Sequence, residues 1–206
     1  MTGVKGEGRA LIVGDVQCDF CPGGALPVAR GGEVVKPLSN MVRLFSKEDA
    51  PVVFTRDWHP RNHCSFREFG GIWPPHCVQH TRGAEFHPAL HVPKKAIIIS
   101  KATDPKRDAY SGFQGTELAE ILMERGVVEV FVGGLATDYC VKNTVIDALK
   151  NSFTTHVLTD CIRGLNVKPT DSAAALREMV SGGAKKVTSE ALAKRFGRRV
   201  AVLSSS

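Results

Sequence analysis

Five short aliphatic and β-branched runs constrain this chain more than any other feature. They are Ala10-Leu11-Ile12-Val13, Pro51-Val52-Val53-Phe54-Thr55, Ala96-Ile97-Ile98-Ile99-Ser100, Val127-Val128-Glu129-Val130-Phe131-Val132 and Phe153-Thr154-Thr155-His156-Val157-Leu158-Thr159. Apolar runs of this length predict strands buried on both faces. Between the first two, Val34, Leu38, Met41 and Phe45 keep helical spacing, with Pro37 tolerated in the first turn. Further helices are predicted near 115–125, after Gly134, near 170–181 and near 189–196, and Lys186-Val187-Thr188 reads as a short sixth strand. The alternation predicts an α/β fold: a doubly wound, mostly parallel five- to six-stranded sheet with helices on both faces. At 206 residues, one domain over 1–206 is the expectation.

Composition narrows the functional classes. No apolar run reaches the length of a membrane span, and residues 1–10 lack the apolar core of a signal peptide. A soluble, cytoplasmic protein with no membrane partner is expected. Six cysteines without a regular framework, in a chain too long to need disulfides, point to reduced thiols. The net charge of +6 is spread over scattered Lys and Arg with few aromatics among them, which argues against a nucleic-acid partner. Ser204-Ser205-Ser206 is expected to fray. A homo-oligomer stays open.

Reactive residues stand where the strand runs end. Asp15 follows the first, Asp57 the second and Lys101 the third. After the fourth come Gly133 and Gly134 and then a helix pattern, with Thr137 as expected N-cap and Cys140 in the first turn. Helix N-terminal N–H groups and the helix dipole favour a thiolate there. A small buried core cysteine explains the position alone equally well. However, ligands in such sheets bind outside the carboxyl ends of the strands, and four reactive side chains at four such ends favour a function. Asp15 is then a base and Lys101 a cation for the Cys140 thiol.

Asp57-Trp58-His59 places a carboxylate and an imidazole two residues apart, on one side of an extended segment. His63 and His76 add imidazoles, and such a set suits Zn²⁺, Fe²⁺ or Mn²⁺. His80, His87, His91 and His156 have no partner at ligand spacing. Cys18-Asp19-Phe20-Cys21 is a lone C-x-x-C in a loop, without the second pair a zinc site needs. The region 58–95 holds six of the seven histidines and no clear periodicity, which marks a functional loop.

Taken together, these residues resemble the nicotinamidases of the isochorismatase-like cysteine hydrolase superfamily, from about residue 9 to 190. The matching segments are Asp15-Val16-Gln17-Cys18-Asp19-Phe20-Cys21-Pro22-Gly23-Gly24, Asp57-Trp58-His59-Pro60, Trp73-Pro74-Pro75-His76-Cys77-Val78-Gln79, Lys101-Ala102-Thr103-Asp104-Pro105, Tyr110-Ser111-Gly112-Phe113 and Gly134-Leu135-Ala136-Thr137-Asp138-Tyr139-Cys140. The resemblance implies a catalytic triad of Asp15, Lys101 and Cys140 and one divalent metal ion, foremost zinc, on Asp57, His59 and His76. His63 would support or join that shell. It also implies a cis peptide at Leu135–Ala136 and an oxyanion hole from the Ala136 and Cys140 N–H groups. Phe20, Trp73 and Tyr110 would wall a flat nicotinamide ring. Cys18 stands where relatives carry Asn, and Ala102 and His80 where they carry Gly. The implied role is hydrolysis of nicotinamide to nicotinate and ammonia through a thioester, in NAD salvage, with pyrazinamide as an analogue. Competing readings are a metal-free superfamily hydrolase of other small amides or isochorismate, and a non-catalytic metal- or thiol-sensing module.

Overall fold

A computed structural model of the chain describes residues 8–203, with side chains through residue 196. The Ser204–Ser206 tail lies outside the described residues. Six strands form one parallel sheet: β1 (Arg9–Gly14), β2 (Val52–Asp57), β3 (Ile97–Lys101), β4 (Glu129–Leu135), β5 (Thr154–Arg163) and β6 (Lys185–Val187), in the spatial order β3-β2-β1-β4-β5-β6. Two helices, α1 (Val35–Lys47) and α5 (Ser189–Leu203), cover one face. Three others, α2 (Leu118–Glu124), α3 (Lys142–Lys150) and α4 (Asp171–Ser181), cover the other.

Strand alternation sorts the core into those two layers. Leu11, Val13 and Phe131 face Leu38, Phe45 and Phe196, while Ala10, Ile12, Val130 and Val132 face Leu122, Val145 and Met179. The strand order reverses direction between β1 and β4, the switch point at which such sheets hold ligands. No helix among the described residues is long and apolar enough to cross a membrane.

Three expectations need correction. The fourth run does not stop at its glycines: β4 continues through Gly133 and Gly134 to Leu135. Gly134 has φ +133°, and a Cβ there would lie 2.0 Å from the Gly14 carbonyl oxygen, so β1 and β4 approach too closely for any side chain. The fifth strand passes Asp160 and ends at Arg163, because after a register shift Ile162 and Arg163 pair with Gly134 and Leu135. The predicted helix near 115–125 shortens to Leu118–Glu124, since the Thr116 hydroxyl is turned to the Gly112 carbonyl and precedes the first helical residue as a local turn.

Substituting Gly134→Ala forces the added methyl into β1 backbone at a positive φ. A loss of about 3 kcal/mol or more is expected, read as a lowered urea midpoint.

Candidate active site

The sheet order sets out the site. Lys101 closes β3, Asp57 closes β2 in register with it, Asp15 follows β1, and Cys140 follows β4. At Asp15 and Ala102 the backbone enters the left-handed region, with φ 48° and 52°, and turns away from the sheet. Lys101 is fully buried at the centre. Its ammonium contacts Asp57 Oδ1, lies 3.0 Å from Asp15 Oδ2, donates to the Ala109 carbonyl at 3.2 Å and reaches Cys140 Sγ at 3.5 Å. The Thr55 hydroxyl donates to Asp15 Oδ1 at 2.6 Å, so Oδ2 is the oxygen left without an aligned hydrogen bond. Gln17 fixes Asp57 from behind: its amide donates to the Asp57 carbonyl, and its own oxygen accepts the Asp57 N–H, both at 2.8 Å.

Burial dominates the electrostatics of each group, and neighbours decide the outcome. It disfavours the Lys101 cation, but Asp15 and Asp57 together keep the ammonium charged well above the usual lysine range. It lifts the Asp15 carboxyl above the usual carboxylate range against the pull of Lys101. At Asp57 it is outweighed by Lys101, His59 and His76, which hold that carboxyl below the usual range. The Cys140 thiol is pushed well above its usual value by burial, with Lys101 opposing and the two carboxylates adding to the rise. The direction is opposite to the lowering expected from a helix N-terminus, because burial outweighs the pull of Lys101.

The turn bearing Cys140 also differs from expectation. Ala136, not Thr137, takes the cap position, and no side chain caps the helix. The turn is wide: the Val141 N–H donates to the Ala136 carbonyl five residues back, which the Tyr139 N–H shares. Cys140 remains in this first turn, and the Leu135–Ala136 peptide is cis.

Beside the ion cluster, donor atoms of Asp57, His59 and His76 lie within 4.8 Å of one another, all on buried residues. His59 Nδ1 faces the Ala102 carbonyl at 3.3 Å and His76 Nδ1 the Pro74 carbonyl at 2.8 Å. Donation through Nδ1–H leaves each Nε2 with a lone pair. His59 Nε2 is buried without a hydrogen-bond partner, so its lone pair is available to a cation. Burial holds His76 below the usual histidine range, hence neutral and able to ligate. Asp15, Asp57 and Cys140 also lie within 4.8 Å of each other, but the Lys101 ammonium already sits among them. Two carboxylates and one ammonium leave the buried cluster one negative charge in excess, which favours a cation on the Asp57 side. The residues therefore fit a metal. His63 is not in the set: Nδ1 faces the Ser65 hydroxyl and Nε2 the Arg107 carbonyl, with its ring against that of His59 at 4.2 Å.

Both groups open into one narrow cavity of about 30 Å³, lined by Asp57, His76, Ala136 and Cys140. Phe20, Trp73 and Tyr110, all expected, form part of its wall. The Trp73 indole donates to the Tyr110 hydroxyl at 3.0 Å. Leu26, Val28, Tyr139 and Leu165 complete the wall and went unrecognised in the sequence. So did Thr55 and Gln17. Thr55 had a signal, because it lies two residues before Asp57 on one strand and shares its face. Leu26 and Leu165 had none, since only loop packing brings them in.

The isochorismatase domain family matches residues 9–191. The chain belongs to that family. It is 40% identical over 197 residues to the nicotinamidase of Escherichia coli (strain K12), covering 85% of this chain and 92% of that protein. Pyrazinamidase of Pyrococcus horikoshii, solved in complex with zinc, superimposes with a TM-score of 0.85 at 52% identity, over 88% of this chain and 99% of that one. PnC1 from L. infantum, solved in complex with nicotinate, gives 0.83 at 35% identity, over 91% and 96%. Ala102 and His80, where the resemblance implied glycine, both have a left-handed backbone, with φ 52° and 64°.

Lys101→Met leaves two buried carboxylates facing each other. A loss of about 3–5 kcal/mol in urea unfolding is expected, and an unchanged midpoint would show that the cluster carries no such mutual dependence.

Proposed function

We propose that this protein is a nicotinamidase, a cysteine amidohydrolase that converts nicotinamide and water to nicotinate and ammonia, acting in cytoplasmic NAD salvage as one domain over 1–206. The observation that carries this reading is that Cys140, Asp57 and His76 line one aromatic-walled cavity, with His59 beside the latter two and Asp57 common to the ion cluster and the ligand set. The likeness to the E. coli nicotinamidase and to the nicotinate complex supports the choice of substrate.

A divalent ion on Asp57, His59 and His76, zinc by the donor set and the P. horikoshii complex, supplies when bound a Lewis-acidic anchor for the pyridine nitrogen. Phe20, Trp73 and Tyr110 hold the ring faces. The carboxamide carbon then faces Cys140 Sγ. Asp15 Oδ2, its oxygen without an aligned hydrogen bond, takes the thiol proton as sulfur attacks. Lys101 compensates the negative charge as it forms, and the Ala136 and Cys140 N–H groups hold the carbonyl oxygen, a donor of this kind being worth about 3–4 kcal/mol. Asp15 returns the proton to the amide nitrogen, the C–N bond breaks and ammonia leaves. A water molecule, its proton taken by Asp15, adds to the thioester carbon, and nicotinic acid departs as the proton passes back to sulfur, then ionises to nicotinate. His63 acts behind His59 as support for the ligand set.

The test is ammonia release across a panel of small amides, with and without chelator. Turnover of nicotinamide and pyrazinamide is expected, abolished by metal removal and restored by zinc. Turnover indifferent to chelation contradicts the metal assignment. The pH profile gives a second check. As pH falls Asp15 gains a proton and can no longer accept that of Cys140, so activity is lost on the acid side. Because burial lifts this carboxyl, the acid limb of kcat/KM is expected above the usual carboxylate range. A limb at the ordinary carboxylate value contradicts the role of Asp15.

A further inference from the structure

Asp19 touches neither Cys140 nor the ligand set, yet its carboxylate joins two sides of the cavity. Oδ2 accepts the Cys77 N–H at 2.7 Å, and Oδ1 accepts the Ala25 N–H at 3.0 Å. Its backbone carbonyl accepts the Leu26 N–H at 3.0 Å. Cys77 follows His76, and its own carbonyl accepts the His59 N–H at 3.0 Å. One residue therefore contacts His59 and adjoins His76, and Asp19 anchors it. Cys77 also holds a left-handed φ of 46°, a conformation uncommon for a residue with a side chain. On the other side of Asp19, Ala25 leads into Leu26 and Val28 of the cavity wall. Phe20, next along the chain, sets its ring 5.5 Å from that of His76. The carboxylate is closely seated, since a Cβ on Gly83 would lie 2.0 Å from Oδ2.

We propose that Asp19 is a positioning residue that couples the Asp57, His59 and His76 set to the Leu26–Val28 wall, so that metal binding orders the substrate wall and an ordered wall favours metal binding. The proposal rests on the metal-dependent reading above. The coupling runs through backbone: a metal that fixes His59 and His76 fixes the Cys77 peptide between them, and Asp19 transmits that order to Ala25 and Leu26. Reciprocity follows from linkage. A carboxylate is required because two N–H donors converge on it. An asparagine offers one oxygen, and its NH₂ group would oppose one of the two donors.

The experiment compares wild-type protein and Asp19→Asn, both stripped of metal and checked for folding by circular dichroism. Zinc affinity is measured by competition with a chelating dye, and amide hydrogen exchange is followed with and without zinc. Zinc is expected to bind Asp19→Asn about 10-fold or more weakly. In the wild type it should slow exchange at Ala25 and Leu26 as well as Cys77. A purely structural Asp19 would lower the unfolding midpoint of the variant but leave zinc affinity unchanged, and that result overturns the proposal. Zinc that leaves Ala25 and Leu26 exchange unaltered in the wild type overturns it too, and this arm decides the matter if Asp19→Asn does not fold. Failure of the wild type to bind zinc overturns the metal reading and the coupling together, whereas equal affinities in the two proteins overturn the coupling alone.

Discussion

The buried Lys101 ammonium is the interaction on which the rest of this structure depends. A cation with no solvent contact persists only if counter-charges meet it with good geometry, and Asp15 and Asp57 do so from two neighbouring strands. The parallel register is the means. It sets Asp57 level with Lys101 and ends β1 at Gly14, opposite Thr55, so that Asp15 turns in beside them without help from long loops. Cys140 reaches the same cluster because β4 adjoins β1, and the absence of a side chain at Gly134 lets those two strands meet closely. Fold and chemistry thus share one requirement: strand ends held in register around a single positive charge.

That charge also divides the labour between the carboxylates. Asp57 turns one oxygen to Lys101 and the other toward His59, 3.6 Å away, so it belongs to both the ion cluster and the ligand set. Asp15, hydrogen-bonded by Thr55 through one oxygen, keeps the other beside the ammonium and the thiol. Burial moves the Asp15 carboxyl and the Cys140 thiol upward together. Phe20, Trp73 and Tyr110 line the cavity beside these groups.

How much of this was legible in the sequence follows from how local each feature is. The strands were, because β-branched runs such as Ile97-Ile98-Ile99 declare themselves over a few residues. The cluster residues were, because each stands at the end of such a run. The continuation of β4 through Gly133-Gly134 was not, since its cause lies in β1, over a hundred residues away in sequence. Nor was the length of β5, which depends on a register shift against β4. Thr137 had the side chain of a cap but not the position, because the wide turn moves the cap to Ala136. Leu165 enters the cavity wall only because the Asp138 carboxylate accepts the Leu165 and Asn166 N–H groups at 2.8 and 2.7 Å, a contact with no periodic signature.

The central claim is that Cys140 forms the bond to the substrate carbon, with Lys101 and Asp15 serving it. The most direct measurement is ammonia release from nicotinamide by Cys140→Ala, in protein whose zinc content and unfolding midpoint match the wild type. The account predicts a fall in kcat of at least about 10⁴-fold, the scale on which removal of a covalent nucleophile acts. Release near the wild-type rate from a folded, zinc-loaded Cys140→Ala protein would contradict it.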